Sequence, residues 1–190
     1  MQPPFPPRRG WSAAVVLLWL CLPGLAGAVE IRGGDHVWLD GESVQLRLDL
    51  DMGLPPVLED ALANGVTLEF ELEARVERAR WLGREEVHRE ARRVQLQYFA
   101  LNRHYLVTAV ADERMGLQPT LGDALELVAH RLGRLPLHGL PEDVRARPEQ
   151  HAFAVRLTLV YSALPLPLQL DAGLRGDLTT RREWYRWPAD

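Results

Sequence analysis

The sequence predicts an α+β domain in which a mainly antiparallel β-sheet, single or split into two layers, packs against two helices. The first observation is strict alternation over residues 66–76, where apolar residues alternate with charged or hydroxylated ones. Shorter alternating segments recur at residues 94–100 and 153–161, and a clear helical pattern lies at residues 121–132. A period of two is typical of a strand with one dry and one wet face, because successive side chains point to opposite sides.

Residues 1–28 are typical of a secretory signal peptide. Arg8-Arg9 precedes an uncharged apolar run at residues 11–22, which is too short to span a bilayer comfortably, and Ala26-Gly27-Ala28 supplies a cleavage site. We expect cleavage after Ala28 and export of one β-rich domain, residues 29–190, to the periplasm or the medium. The alternative is an uncleaved N-terminal membrane anchor. No membrane span is predicted in the mature chain.

The composition limits the chemistry and the partners. Cys21, the only cysteine, lies in the predicted leader, so a processed chain has no disulfide, thiolate metal site or cysteine nucleophile. Twin-arginine and lipoprotein versions of the signal, at Arg8-Arg9 and Cys21, lack the residues that usually flank them. All 22 basic residues are arginine, which we interpret as the codon usage of a G+C-rich genome more than as a phosphate-binding surface. The net charge of −4 argues against nucleic acid as the main partner.

A hairpin and a short helix are predicted at the start of the mature domain. Residues 36–40 and 44–51 alternate and flank Asp40-Gly41, which is a turn signal. Pro55-Pro56 suits the first turn of a helix, where a missing N–H costs nothing, and Asn64-Gly65 ends that helix.

The longest pattern predicts a three-stranded antiparallel meander. Its first strand runs from about residue 66 to residue 78, and the chain reverses at residues 81–84. The return strand is clearest at residues 94–100, and a tight turn at Asn102-Arg103 leads to the third strand, residues 105–110.

The second half of the chain predicts one more helix and one more clear strand. Thr120 caps an amphipathic helix over residues 121–132, whose apolar stripe faces the sheet. Residues 135–150 are predicted to form an irregular loop, and residues 153–161 a strand.

Two features follow that strand. The alternating prolines of residues 164–168 predict an extended edge, because proline cannot donate to a strand ladder. The aromatic tail at residues 184–187 is expected to dock on the body of the domain, since two tryptophans and a tyrosine are seldom left exposed.

Two clusters form the candidate partner surface. Charges of both signs surround Trp81 at the hairpin tip. We interpret them mainly as solvated Glu–Arg pairs across the strands, and less as an arm that recognises a charged partner. An aromatic residue within a polar rim is nevertheless a typical interface anchor. The candidate residues at the tip and in the tail are Trp81, Arg84, Arg89, Trp184, Tyr185 and Trp187.

The sequence contains no recognisable catalytic, metal or nucleotide motif, and no catalytic residue, metal ligand or cofactor is predicted. His88 and Glu90 alternate on one strand face, but a zinc site needs three or four ligands and the neighbours are arginines. Ser43 and Ser162 both lie outside a nucleophile elbow. Asp35-His36 is predicted to belong to an exposed linker.

Several segments together resemble one known family. They are the leader, the helix-to-strand step at residues 61–70, the segments at residues 96–101 and 103–105, the Leu-Pro run at residues 164–168 and the terminal Trp184-Tyr-Arg-Trp187. In this order they resemble the proteobacterial family catalogued as domain of unknown function 4390, over nearly the whole mature chain. The resemblance implies no activity and no functional residue. Members are often encoded near a membrane sensor kinase and its response regulator, which implies a role near envelope sensing.

We therefore expect a non-enzymatic periplasmic binding or adaptor domain whose partner is an unknown envelope protein or ligand. The partner is expected to bind by edge-strand addition or in a groove beside the second helix. One alternative is a ligand-binding sensor with an apolar cavity. Another is a hydrolase that uses carboxylates and histidine from separate strands.

Overall fold

The structure, a computed structural model, describes residues 29–40, 42–110, 115–160 and 183–190. In these ranges the chain forms two antiparallel sheets and three α-helices, so the predicted α+β class and the two-layered arrangement are confirmed. The smaller sheet has the order β1-β2-β7, and its strands are β1 (Val29–Trp38), β2 (Val44–Met52) and β7 (Arg134–Leu137).

The larger sheet has six strands in the order β6-β5-β4-β3-β8-β9. Its strands are β3 (Leu68–Arg80), β4 (Gly83–Phe99), β5 (His104–Ala109), β6 (Met115–Gln118), β8 (His151–Leu159) and β9 (Tyr185–Pro188). The helices are α1 (Pro56–Ala63), α2 (Leu121–Leu132) and the short α3 (Glu142–Ala146), which a 3₁₀ turn (Pro148–Gln150) follows.

The predicted meander is confirmed as β3, β4 and β5. The dry face of β3 is completely buried, and its side chains are Leu68, Phe70, Leu72, Ala74 and Val76. A bulge between Val76 and Glu77 shifts the register of the hairpin, so that Val76 lies opposite His88 while Glu77 lies opposite Glu86. Bulges bend a strand and increase its twist, and this one separates the regular base of the hairpin from its tip.

The core lies between the inner faces of the two sheets and is completed by helices. Helix α2 begins at Thr120, whose hydroxyl accepts the Asp123 N–H at 3.1 Å, and it ends at Gly133. The Gly133 carbonyl accepts the Leu48 N–H at 2.8 Å, and a Cβ at Gly133 would lie 2.7 Å from the Leu48 carbonyl oxygen. Only glycine therefore lets the end of α2 approach β2 this closely.

Two predictions about irregular structure are wrong. Residues 135–150 contain β7, α3 and the 3₁₀ turn, and Leu135, Leu137 and Val144 are buried. Pro136 conceals the strand in the sequence, but proline is tolerated because β7 pairs on one side only, with β2. Asp35-His36 does not lie in a linker, because it belongs to β1 and pairs with Arg47 and Leu46.

Some predictions fall outside the described residues. They concern the leader (residues 1–28), Gly41 of the first turn, Tyr161 at the end of the predicted last strand and the Leu-Pro run (residues 164–168). Among the described residues, no helix is long and apolar enough to cross a membrane.

Candidate functional site

The tip of the β3–β4 hairpin exposes its aromatic side chain to solvent. Trp81 is 95% exposed and Leu82 beside it is also exposed. Gly83 has φ = 96°, a conformation that glycine adopts without strain, and it reverses the chain into β4. The tip therefore holds an apolar pair away from the core, as the sequence predicted for Trp81.

Behind the tip, the outer face of the larger sheet carries an arginine–glutamate network centred on Glu73. Its carboxylate contacts the guanidinium groups of Arg75 at 2.7 Å, Arg156 at 2.5 Å and Arg89 at 3.1 Å. Burial works to raise the pKa of Glu73, but the hydrogen bonds from Arg75 and Arg156 outweigh it and hold the pKa below its ordinary value. The candidate residue Arg89 thus belongs to a set of ion pairs across the strands and also contacts Glu86 at 3.1 Å.

The terminal tail docks on the sheet as β9, as expected, and its two faces differ. On the outer face, Trp184 lies under two guanidinium groups, with Arg75 4.1 Å and Arg156 4.6 Å from the ring centroid. Both cations also bind Glu73, so Trp184 is part of the ionic network.

On the inner face, Tyr185 and Trp187 pack against the core. The Trp187 ring lies 5.6 Å from that of Phe153 on β8, and its Nε1 donates to His36 Nδ1 on β1 at 3.4 Å. Through these two contacts, Trp187 joins β8 of the larger sheet to β1 of the smaller one. The structure therefore brings Trp184 and Arg89 together in one network and separates them from Tyr185 and Trp187.

Away from the ionic network, the outer face becomes apolar at β5 and β6. Leu117 lies opposite Leu106, Met115 opposite Thr108, and Phe99 opposite His104, so the apolar side chains of this set share one face. Met115 is 72% and Leu117 is 58% exposed. We call Phe99, Leu106, Met115 and Leu117 the apolar strip. Phe99 is also 40% exposed, so the strip is a contiguous apolar patch, and such patches on monomers are often functional.

Among the described residues, β6 is also an edge of the larger sheet, and apart from its shortness it carries none of the charges, prolines or bulges that usually protect an edge. The other edges among the described residues have them. Residues 83–92 of β4, which pair with β3 on one side only, are densely charged and carry the bulge, while β7 and β9 contain Pro136 and Pro188. In contrast, β6 reads Met-Gly-Leu-Gln, with no charge and no proline. This strand is not apparent from the sequence, because four residues are too few for a period to be visible.

A serine and a histidine meet near the first turn, but their hydrogen bonds differ from those of a hydrolase. The Asp40 carboxylate accepts hydrogen bonds from the Glu42 N–H and from the Ser43 hydroxyl, and both hold the pKa of Asp40 below its ordinary value. Ser43 Oγ also lies 3.2 Å from His138 Nδ1. The Asp40 carboxylate therefore lies next to Ser43 and not next to the imidazole of His138, so the three groups do not form the Ser–His–Asp order of a hydrolase.

A second histidine lies in a buried cluster behind the hairpin. The side chain of His151 is completely buried, its Nδ1 donates to the Arg147 carbonyl at 2.9 Å, and its Nε2 accepts from Arg78 Nε at 3.3 Å. Arg78 also pairs with Asp143 at 2.5 Å. Both ring nitrogens are therefore used within the protein.

Among the described residues, the pocket between the first and last strands is small. Within the described ranges, no three side chains of the metal-ligating types converge. A pocket of about 120 Å³ between β1 and β9 is lined by apolar side chains that include Val29, Ile31, Leu157 and Tyr185. Small-molecule sites usually have about 300–1,000 Å³, so this pocket is small for a sensor ligand.

Over the described residues, the fold and these surfaces define a two-sheet α+β domain with an ionic outer face and an apolar edge at β6. The chain belongs to the family described as domain of unknown function (DUF4390), whose model matches residues 36–188. The resemblance inferred from the ordered segments is thereby confirmed. No curated protein and no solved structure matches the chain.

Proposed function

We propose that this protein is a non-enzymatic binding or adaptor domain of the bacterial cell envelope, exported to the periplasm by its leader. In this proposal it binds an extended, uncharged segment of another envelope protein beside β6. The observation that supports it is the apolar strip on the unprotected edge, because a free edge offers backbone hydrogen bonds and the strip offers side-chain contacts.

The chemistry of the strip favours an uncharged, apolar partner segment. Phe99, Leu106, Met115 and Leu117 alternate with Thr108, Gln95 and Gln97 across the strands, and their cross-strand neighbours among the described residues include no Asp, Glu or Arg. A charged segment would lose its hydration there without gaining a counter-ion, whereas an apolar one would bury area on both sides. An adaptor that links partners also fits the position near envelope sensing that the family resemblance implies.

The hydrolase alternative has less support. His151, which is completely buried, uses both ring nitrogens within the protein. A general base needs a free nitrogen within hydrogen-bond reach of the proton that it removes.

Capture from envelope extract with matched variants tests the proposal. Leu117→Glu places a charge on the apolar strip, and Leu39→Glu is its control, since Leu39 is 57% exposed and Leu117 is 58% exposed. We expect Leu117→Glu to reduce the captured partner about tenfold or more, as for loss of a central apolar contact, and Leu39→Glu to leave it unchanged.

The captured partner must then bind directly to the purified protein, and Leu117→Glu must abolish this binding. Equal capture by both variants would contradict the proposal. The proposal would also be contradicted if the purified protein associated with itself and Leu117→Glu abolished that association. A second copy of the chain would then occupy the edge.

A further inference from the structure

Arg84 and Arg186 line a hollow of about 310 Å³ on the outer face of the larger sheet, close to the hairpin tip. The hollow exists because small residues, Ala79 on β3 and Ala152 on β8, stand where the rest of the face carries long charged side chains. Glu149 and Gln150 of the 3₁₀ turn line the opposite side. This hollow is separate from the apolar strip, which lies at the other end of the hairpin.

The two arginines share one buried carboxylate. Arg186 Nε donates to Glu77 Oε2 at 3.1 Å, and Arg84 Nη1 lies 3.8 Å from the same oxygen. The side chain of Glu77 is only 9% exposed, whereas that of Arg84 is 52% exposed. A separation of 3.8 Å is too long for a hydrogen bond, so Arg84 makes an ion pair but donates no hydrogen bond to any described residue.

We propose that this hollow binds a carboxylate of an extended peptide. The Arg84 guanidinium presents a planar fork of donors, and a carboxylate accepts two parallel hydrogen bonds from such a fork. Glu77 holds Arg186 in place beside Arg84. Arg186 therefore adds a second positive charge to the hollow and does not have to be ordered when the carboxylate binds.

The charges around the hollow select the class of anion. Two arginines face two glutamates, Glu77 below and the exposed Glu149 on the rim. This balance leaves little excess positive charge to hold a dianion such as phosphate. A carboxylate carries one charge and needs only the unused donors of Arg84.

The hairpin tip supplies an apolar neighbour for the same peptide. Ala79 lies opposite Arg84, and Trp81 follows two residues later with its ring almost fully exposed. An apolar residue next to the bound carboxylate can therefore cover Trp81, as aromatic anchors do in interfaces.

Nuclear magnetic resonance titrations of the purified protein with paired probes test this site. N-acetyl-leucine has an apolar side chain and a carboxylate, and N-acetyl-leucinamide lacks only the carboxylate. N-acetyl-glutamate α-amide presents a side-chain carboxylate and distinguishes an acidic residue from a chain terminus. We expect either carboxylate probe to shift the amide signals of Ala79 and Ala152 with millimolar affinity, and the leucinamide to shift neither.

Variants assign the effect to the hollow. Arg84→Gln should weaken carboxylate binding about tenfold or more, because it removes a charge-assisted hydrogen-bond donor. Arg93→Gln is the control, since Arg93 is 51% exposed and also pairs with glutamate on this face. Glu149→Gln should strengthen carboxylate binding, because it removes the exposed negative charge on the rim.

Three results would overturn the proposal. The first is equal binding of N-acetyl-leucinamide, and the second is tighter binding of inorganic phosphate than of either carboxylate. The third is unchanged affinity in Arg84→Gln. If Arg84→Gln proves unfolded, Glu149→Gln decides, and an unchanged carboxylate affinity in that variant overturns the proposal.

Discussion

Gly34 lies against the indole ring of Trp187, so closely that a Cβ at position 34 would stand 2.8 Å from Cζ3 of that ring. The contact joins β1 of the smaller sheet to β9 of the larger one. It explains why the C-terminal tail docks, since the missing side chain at Gly34 makes the space that the tryptophan fills.

Gly34→Ala is therefore expected to destabilise the protein by about 1–3 kcal/mol, the usual cost of overpacking a filled site. Gly33→Ala is the matched control, because the nearest atom to its Cβ would be 3.9 Å away, at ordinary contact distance. Chemical denaturation of both variants measures the difference. Equal stabilities would show that Trp187 does not fill this space in solution.

Removing the charge of Glu73 is expected to weaken the ionic network. Glu73→Gln leaves Arg75, Arg89 and Arg156 without their shared carboxylate, and the loss of these charged hydrogen bonds should cost about 1–3 kcal/mol at neutral pH. Arg103→Gln in the β4–β5 turn should change the free energy of unfolding by less than about 0.5 kcal/mol. An equal effect of the two substitutions would contradict the central place of Glu73.

The same carboxylate predicts how stability depends on pH. The pKa of Glu73 is lowered in the folded state from an ordinary 4.5, so its stabilisation is complete above that value and is lost as the pH falls through the folded pKa. The free energy of unfolding of the wild type should therefore fall below about pH 4.5, and that of Glu73→Gln should fall less steeply. Parallel curves for the two proteins would argue against this pKa shift.

Tyr105 predicts that stability falls as the pH rises in the alkaline range, which is the opposite of the effect of Glu73. Burial, followed by the neighbouring Tyr98 and Glu59, raises its pKa above the ordinary 10.0. Its contribution to stability is present below pH 10 and is lost as the pH rises towards the folded pKa. Absorbance titration of tyrosinate should show a high-pKa step in the wild type that Tyr105→Phe removes. A variant curve that retains this step would contradict the assignment to Tyr105.

The sequence predicted the long elements well because their periods are long enough to be distinctive. Residues 66–76 alternate without a break and fix the dry face of β3, and Thr120 with Asp123 marks the start of α2. The terminal aromatic residues correctly predicted a docked tail. The short elements β6, β7 and α3 could not be predicted, since four or five residues show no clear period and Pro136 mimics a loop.

The surfaces were harder to predict than the fold because they depend on register. The sequence singled out Trp81, Arg84 and Arg89, but it could not show that Arg89 joins Glu73 while the guanidinium of Arg84 donates no hydrogen bond to another described residue. It also treated the tail as one unit, whereas strand alternation turns Trp184 outward and Trp187 inward. The apolar strip requires the pairing of Leu106 with Leu117, which separate segments of the chain contribute.

Photo-crosslinking in living cells tests the central proposal most directly. A photoreactive amino acid is placed at position 117 on the apolar strip or at position 39, where the side chain is equally exposed but distant in the fold. We predict one discrete crosslinked envelope protein from position 117, none from position 39, and loss of the product when Met115→Glu is added. Identical patterns from both positions, or no product from position 117, would contradict partner binding at β6.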